Sequence, residues 1–327
     1  MAAEVEHGLY VVGEGVPWHR LGEAEREFWS LDDIRGDKRF DYQVAKVPLY
    51  AKLPDGSLVE VEDNFGVQRD SDGKVLGVVG DRYEVAQNIE VARIMDEAVG
   101  AGQAIYDTVW SLRGGRTFAI TAKLANAAGG TLPNGESIDF YITATTTHDG
   151  SGKIRYIYTP IRVVCMNTLT MATNAAVYRY ERKHTAQWNS EDRIAECREA
   201  LSLGQQYASW VTQTANELVA EAFNKKSFEK LAVELFVADY ADKKVDDWTH
   251  QETAKFEQLM AVRANSKNLA NIKNTKWGAL NAVAEYVDYG MDYRSTKNDT
   301  DEKRVESLLY GRGVDIKTHA LELLRAA

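Results

Sequence analysis

Cysteine is scarce in this 327-residue chain, with only Cys165 and Cys197 present. Neither the CxxC spacing nor the paired histidines of a zinc site accompany them, so a disulfide framework or structural metal is not expected. Long apolar runs are missing too. No stretch of about 18 apolar residues exists to cross a bilayer. The first residues carry Glu4 and Glu6 where a secretory signal has a basic start and an apolar centre. The expected location is the cytoplasm, with no membrane partner. The familiar catalytic motifs are also absent: there is no GxxxxGK[ST], HExxH or GxSxG, and no GxGxxG after a strand. The segment His148-Asp149-Gly150-Ser151-Gly152-Lys153 lacks the leading glycine of a phosphate loop. Binding without turnover, and without a cofactor, is the expected class of activity.

What is present suits a globular protein. Hydrophobic residues make up 44% of the chain and mean hydropathy is -0.39, enough for two domains with their own cores. The net charge of -10 is unevenly spread. Residues 1–100 hold 11 Lys and Arg against 21 Asp and Glu, whereas residues 101–190 hold 9 against 5. A basic middle inside an acidic chain can steer a polyanion locally although the whole molecule repels it.

Periodicity divides the chain near residue 186. Before it, Ile138, Phe140, Ile142 and Ala144 alternate with Asp139, Tyr141, Thr143 and Thr145. Phe118, Ile120 and Ala122 alternate with Thr117, Thr121 and Lys123 in the same way, as half-buried antiparallel strands do. Asp55-Gly56, Asp72-Gly73, Gly114-Gly115, Asn134-Gly135 and Asp149-Gly150 supply hairpin turns between the strands. One helix is predicted at about 89–99 and a short one at about 168–176. After Ser190 the period becomes 3.6, and Ile194, Cys197, Leu201, Gly204, Ala208, Val211, Ala215 and Leu218 form one heptad seam. That seam serves either self-association or packing on its own domain. Further helices are predicted at about 227–240, 249–264, 275–288, 302–310 and 316–325. The fold class is therefore α+β: an antiparallel-sheet-rich domain over 1–186, then an all-helical domain over 187–327.

Several groups of residues could bind a polyanion. The run Ile161–Val164 leads into Cys165, Met166, Asn167, Thr168 and Leu169, a strand feeding a helix start, where Arg162 and the amides around Asn167 and Thr168 could hold a phosphate. Asn167 reads equally as a plain helix cap. Arg113 and Arg116 flank a glycine turn, and Lys153, Arg155, Tyr156 and Tyr158 mix cations with rings, as do Arg179, Arg182 and Lys183 around Tyr178 and Tyr180. Cations track phosphates while rings stack bases, although strand tyrosines are also common in cores. In the tail, 258–284 contains no acidic residue but holds Arg263, Lys267, Lys273 and Lys276 beside Asn265, Asn268, Asn271 and Asn274. Two enzyme readings stay open. Asp139 with Glu181 and Lys183 has the chemistry of a Mg²⁺ nuclease site, and Cys165 with His184 that of a nucleophile and base.

Six segments carry a family resemblance. Pro17–Gly22, Gly77–Asn88, Gly114-Gly115-Arg116, His148–Ser151, Arg162–Leu169 and Asn281–Tyr286 are similar in order and spacing to a family of phage- and plasmid-encoded proteins of unknown function. That likeness implies residence in a host cytoplasm if the gene is carried by a phage. The overall plan also resembles phage single-strand annealing proteins of the Redβ and RecT type, which implies binding of single-stranded DNA in recombination or replication by a homo-oligomer. The expected function is thus nucleic-acid binding. A Mg²⁺-dependent nuclease and a protein-binding factor acting on a host target are the alternatives.

Overall fold

The structure is a computed structural model describing residues 5–11, 23–26, 30–100, 104–124, 132, 135, 137–162, 167–168, 179–185, 190–237, 243–291, 303–304, 307–308 and 311–327. Its architecture is α+β, with sheets in the amino-terminal part and helices in the carboxy-terminal part.

Among the described residues, eleven strands form two sheets. The larger contains β1 (Val5–Val11), β2 (Glu23–Arg26), β6 (Ala104–Leu112), β7 (Thr117–Leu124), β8 (Ile138–Thr147), β9 (Ile154–Arg162), β10 (Asn167–Thr168) and β11 (Arg179–Arg182). Its order is β10-β9-β8-β7-β6-β1-β2, with β11 also on β9. Neighbours are antiparallel except β1 and β2, which run parallel. The smaller sheet is β3 (Val44–Lys52), β4 (Leu58–Arg69) and β5 (Val75–Gly80), wholly antiparallel. The β6–β7 turn places Arg113, Gly114 and Gly115 at φ 56°, 63° and 86°. Two of those three left-handed positions are glycine, which reaches them without a Cβ clash.

The alternation visible in the sequence sorts the larger sheet into two buried faces. Ile138, Phe140, Ile142 and Ala144 share a face with Phe118, Ile120, Ala122, Ile154, Tyr156 and Tyr158. The helices α2 (Asn88–Val99) and α3 (Ser190–Ala220) cover this face; the four-residue α1 (Leu31–Ile34) lies beside α2. The opposite face carries Thr117, Thr121, Thr143, Thr145, Thr147 and Thr159, all buried. Thr121 and Thr143 bond each other at 3.0 Å, while the hydroxyls of Thr117, Thr145, Thr147 and Thr159 have no hydrogen-bond partner among the described residues.

The smaller sheet is tied to the hairpins of the larger one. Tyr42 Oη donates to Gly115 O at 2.7 Å, Lys74 Nζ to Gly114 O at 3.0 Å, and Tyr83 Oη to Thr147 O at 2.7 Å. Gly77 makes the close approach possible: a Cβ there would fall 2.4 Å from the Asp149 Cα.

The helical half comprises α3, α4 (Lys225–Phe236), α5 (His250–Asn265), α6 (Lys276–Glu285) with a π turn over Tyr286–Gly290, and α7 (Arg312–Ala326). Of the heptad seam, Ile194, Cys197, Ala208, Val211, Ala215 and Leu218 are buried in the molecule's own core. Those six positions are therefore occupied by the chain's own core. Asn167 and Thr168 correct the expected helix start, because they form β10 against Arg162 and Ile161; the remainder of that expected helix, and Cys165, lie outside the described residues. α7 begins at Arg312, four residues before the expected start. Among the described residues, no helix is long and apolar enough to cross a membrane.

Candidate anion-binding site

Five of the expected cations of the strand half, Arg113, Arg116, Lys153, Arg155 and Arg182, are engaged by carboxylates or carbonyls. Arg113 pairs with Asp149 at 3.2 Å, and Arg116 Nε donates to Leu76 O at 2.7 Å. Lys153 and Arg155 both grip Glu181, at 2.6 and 2.9 Å. Arg182 pairs with Glu196 at 2.8 Å and lies over the Tyr180 ring. A polyanion would have to displace those partners. Lys183 is exposed and makes no ion pair among the described residues. The backbones of Arg162 and Arg179 lie in β9 and β11, and their side chains fall outside what is described.

Two expectations need correcting on geometry. Tyr156 and Tyr158 are 0% and 1% exposed, and Tyr156 Oη donates to Val91 O under α2. Neither ring can stack a base. Asp139 and Glu181 do not meet as a metal-binding pair: Asp139 stands opposite Ile161 on β9 and Glu181 opposite Arg155. Six residues of strand separate them, about 20 Å at ~3.3 Å per residue. Asp139 is instead paired with Lys123 at 2.8 Å.

His184 is likewise committed to structure. It stacks on Tyr83 with ring centroids 4.7 Å apart, and its Nδ1 meets Glu84 O at 3.1 Å. Nearby, Asn88 donates Nδ2 to Phe40 O, which turns its Oδ1 to the His148 Nε2 at 2.8 Å. That arrangement makes Nε2 the protonated nitrogen of His148 and leaves the buried Nδ1 without a partner among the described residues. Burial pushes His148 down to about 3 and His184 down to about 4, so both rings are neutral near pH 7.

The tail cations divide between structure and solvent. Arg263 is buried over the Phe228 ring and donates to Phe223 O at 3.3 Å. Lys276 pairs with Glu221 at 2.5 Å, and Lys273 Nζ donates to Ala264 O at 2.9 Å. Only Lys267 of this expected group is exposed without an ion pair among the described residues.

A different set of cations converges on a cavity of about 590 Å³ between α5, the π turn and the start of α7. Gln251, Lys255 and Gln258 reach it from one side of α5, being spaced by four and three residues. Lys303 and Arg312 approach from the other wall. Tyr286 and Ser307 are its buried lining, at 1% and 9% exposure. Tyr286 Oη donates to Gln258 Oε1 at 3.3 Å. Ser307 Oγ accepts the Gly313 amide at 2.8 Å, leaving its own hydrogen for another acceptor. Among the described residues, no carboxylate lines the cavity. The neighbouring Asp288 is held inside the fold by Lys317, at 3.3 Å.

Sequence reading missed this site because its walls are distant along the chain. The polar spacing of Gln251, Lys255 and Gln258 on one helix side was its only local sign.

A family model described as a domain of unknown function, DUF932, matches residues 75–309. The chain belongs to the DUF932 family. The matched span runs from β5 through Ser307, so it includes the α5 and Tyr286 walls of the cavity and stops short of Arg312. No curated protein and no solved structure matches the chain.

Proposed function

We propose that this DUF932 protein is a non-enzymatic nucleic-acid-binding protein whose ligand is single-stranded DNA, in the recombination or replication setting that the likeness of its overall plan to phage single-strand annealing proteins implies. The observation that supports this is the cavity in the helical half, where Lys255, Lys303 and Arg312 converge with no carboxylate among the described lining. The paired cations of the strand half play a lesser part. Neutralising phosphates with these side chains releases counterions, so affinity falls as salt rises, with a log–log slope of roughly -0.7 per phosphate contacted on a single strand.

The test is fluorescence anisotropy with a labelled oligonucleotide across a salt series. Expected are binding at low salt, a negative slope, and a loss of about tenfold or more in the triple variant Lys255→Gln/Lys303→Gln/Arg312→Gln. No binding at low salt, or the same affinity in the triple variant, rejects the proposal.

A second reading, docking of a protein partner, is favoured by the β3–β4 hairpin. Tyr50, Leu58 and Val59 stand 55%, 64% and 49% exposed there, beside Glu60, Glu62 and Asp63. Exposed apolar groups rimmed by charge suit protein contacts. Leu58→Ser/Val59→Ser would leave oligonucleotide binding intact while abolishing capture of such a partner.

A further inference from the structure

We infer that the cavity between α5 and α7 is a site for a phosphate monoester, the terminal phosphate of a nucleotide either free or at a strand end. This rests on the nucleic-acid reading above only in taking a nucleotide as the ester.

The first argument is charge. Lys255 and Arg312 would oppose one ligand group with two positive charges, and Lys303 shares the lining. An internal phosphodiester carries a single negative charge, whereas a monoester carries roughly -1.5 to -2 at pH 7 and presents three acceptor oxygens. The second is availability. Lys255 and Arg312 make no ion pair or hydrogen bond among the described residues, unlike Arg155, Arg182 and Lys276. Cations left facing a concave space without a carboxylate are placed to take an anion from outside.

The third argument is size. The cavity holds about 590 Å³ with the buried Tyr286 and Ser307 in its lining, within the range typical of small-molecule sites. That volume suits a single nucleotide. Lys255 and Arg312 would hold the phosphate. The Ser307 hydroxyl can donate to an ester or sugar oxygen, and the exposed Gln251 and Gln258 amides offer contacts to the rest of the nucleotide.

The experiment uses the full chain and four probes: a nucleoside 5′-monophosphate, the matching nucleoside, and one oligonucleotide with either a phosphate or a hydroxyl at its 5′ end. Calorimetry is expected to show the monophosphate binding at least about tenfold more tightly than the nucleoside, and the phosphorylated strand more tightly than the hydroxyl strand by a similar factor. Lys255→Gln and Arg312→Gln should each erase that preference, while Lys255→Arg should keep most of it. All three variants should retain the wild-type melting temperature, since Lys255 is half-buried and Arg312 exposed. Equal binding of nucleoside and monophosphate, or binding of neither, overturns the site. Should both strands bind equally and the monophosphate fail, the monoester site falls while nucleic-acid binding survives. Should the monophosphate bind and both strands fail, the site survives and nucleic-acid binding falls.

Discussion

Lys317 and Asp288 face each other at 3.3 Å with side chains only 1% exposed, joining α7 to the π turn that follows α6. Burial lowers the Lys317 pKa, and the Asp288 carboxylate counters that effect. Removing one member takes the opposite charge away from the other in a poorly hydrating interior. Lys317→Met should therefore destabilise the protein by about 3–5 kcal/mol, and Asp288→Leu/Lys317→Met should recover much of that loss. Urea unfolding of the two variants checks this; equal midpoints for Lys317→Met and wild type would contradict it.

The two buried histidines set an acid limit on stability. Their folded pKa values, about 3 for His148 and about 4 for His184, lie below the unfolded value of about 6.5. Above pH 6.5 both states are neutral and the rings contribute no pH dependence. As pH falls below 6.5 the unfolded chain takes up protons that the folded chain refuses, so stability drops by roughly 1 to 2 kcal/mol per pH unit for each ring. The decline from His184 ends near pH 4 and that from His148 near pH 3. Denaturation midpoints from pH 7 to 4 should show this slope, and His184→Gln should reduce it.

Gly77 is a packing residue. The methyl of Gly77→Ala would meet Asp149 Cα at 2.4 Å and Cβ at 2.7 Å, a clash with backbone that no rotamer change relieves. A loss of about 1–3 kcal/mol is expected, read as a lower melting temperature. Ala at this position with unchanged stability would mean that the two sheets separate more easily than their contacts suggest.

The threonine face predicts a gain. Thr145 and Thr159 bury hydroxyls that have no partner among the described residues, so Thr145→Val and Thr159→Val each remove a desolvated polar group while keeping a branched side chain on the strand. Each should leave stability unchanged or raise it by about 1 kcal/mol. A thermal melt that fell by several degrees would point to hydrogen bonding by those hydroxyls.

The α+β plan was legible because period two and period 3.6 sit in separate parts of the chain. Asp149-Gly150 and Gly114-Gly115 marked real hairpin ends. The site was far less legible. Tyr156 alternates with Arg155 as an exposed binding strand would, but local alternation cannot reveal that both faces of the sheet are covered. Nor can it reveal pairing at a distance: Lys153 finds Glu181 28 residues later, across the β9–β11 pairing. Asn167 looked like a cap because a polar residue after an apolar run fits both a helix start and a strand return.

The helix α3 packs against α2, β9 and β11 near its start and against α6 farther along, and one apolar cluster continues from Phe118 and Tyr156 through Cys197 and Val211 to Trp277 and Leu324. Sheet and bundle thus share a keel. Heat or urea should make them give way in a single cooperative event, and severing the chain before Ser190 would leave each fragment with a greasy wound where α3 had joined them.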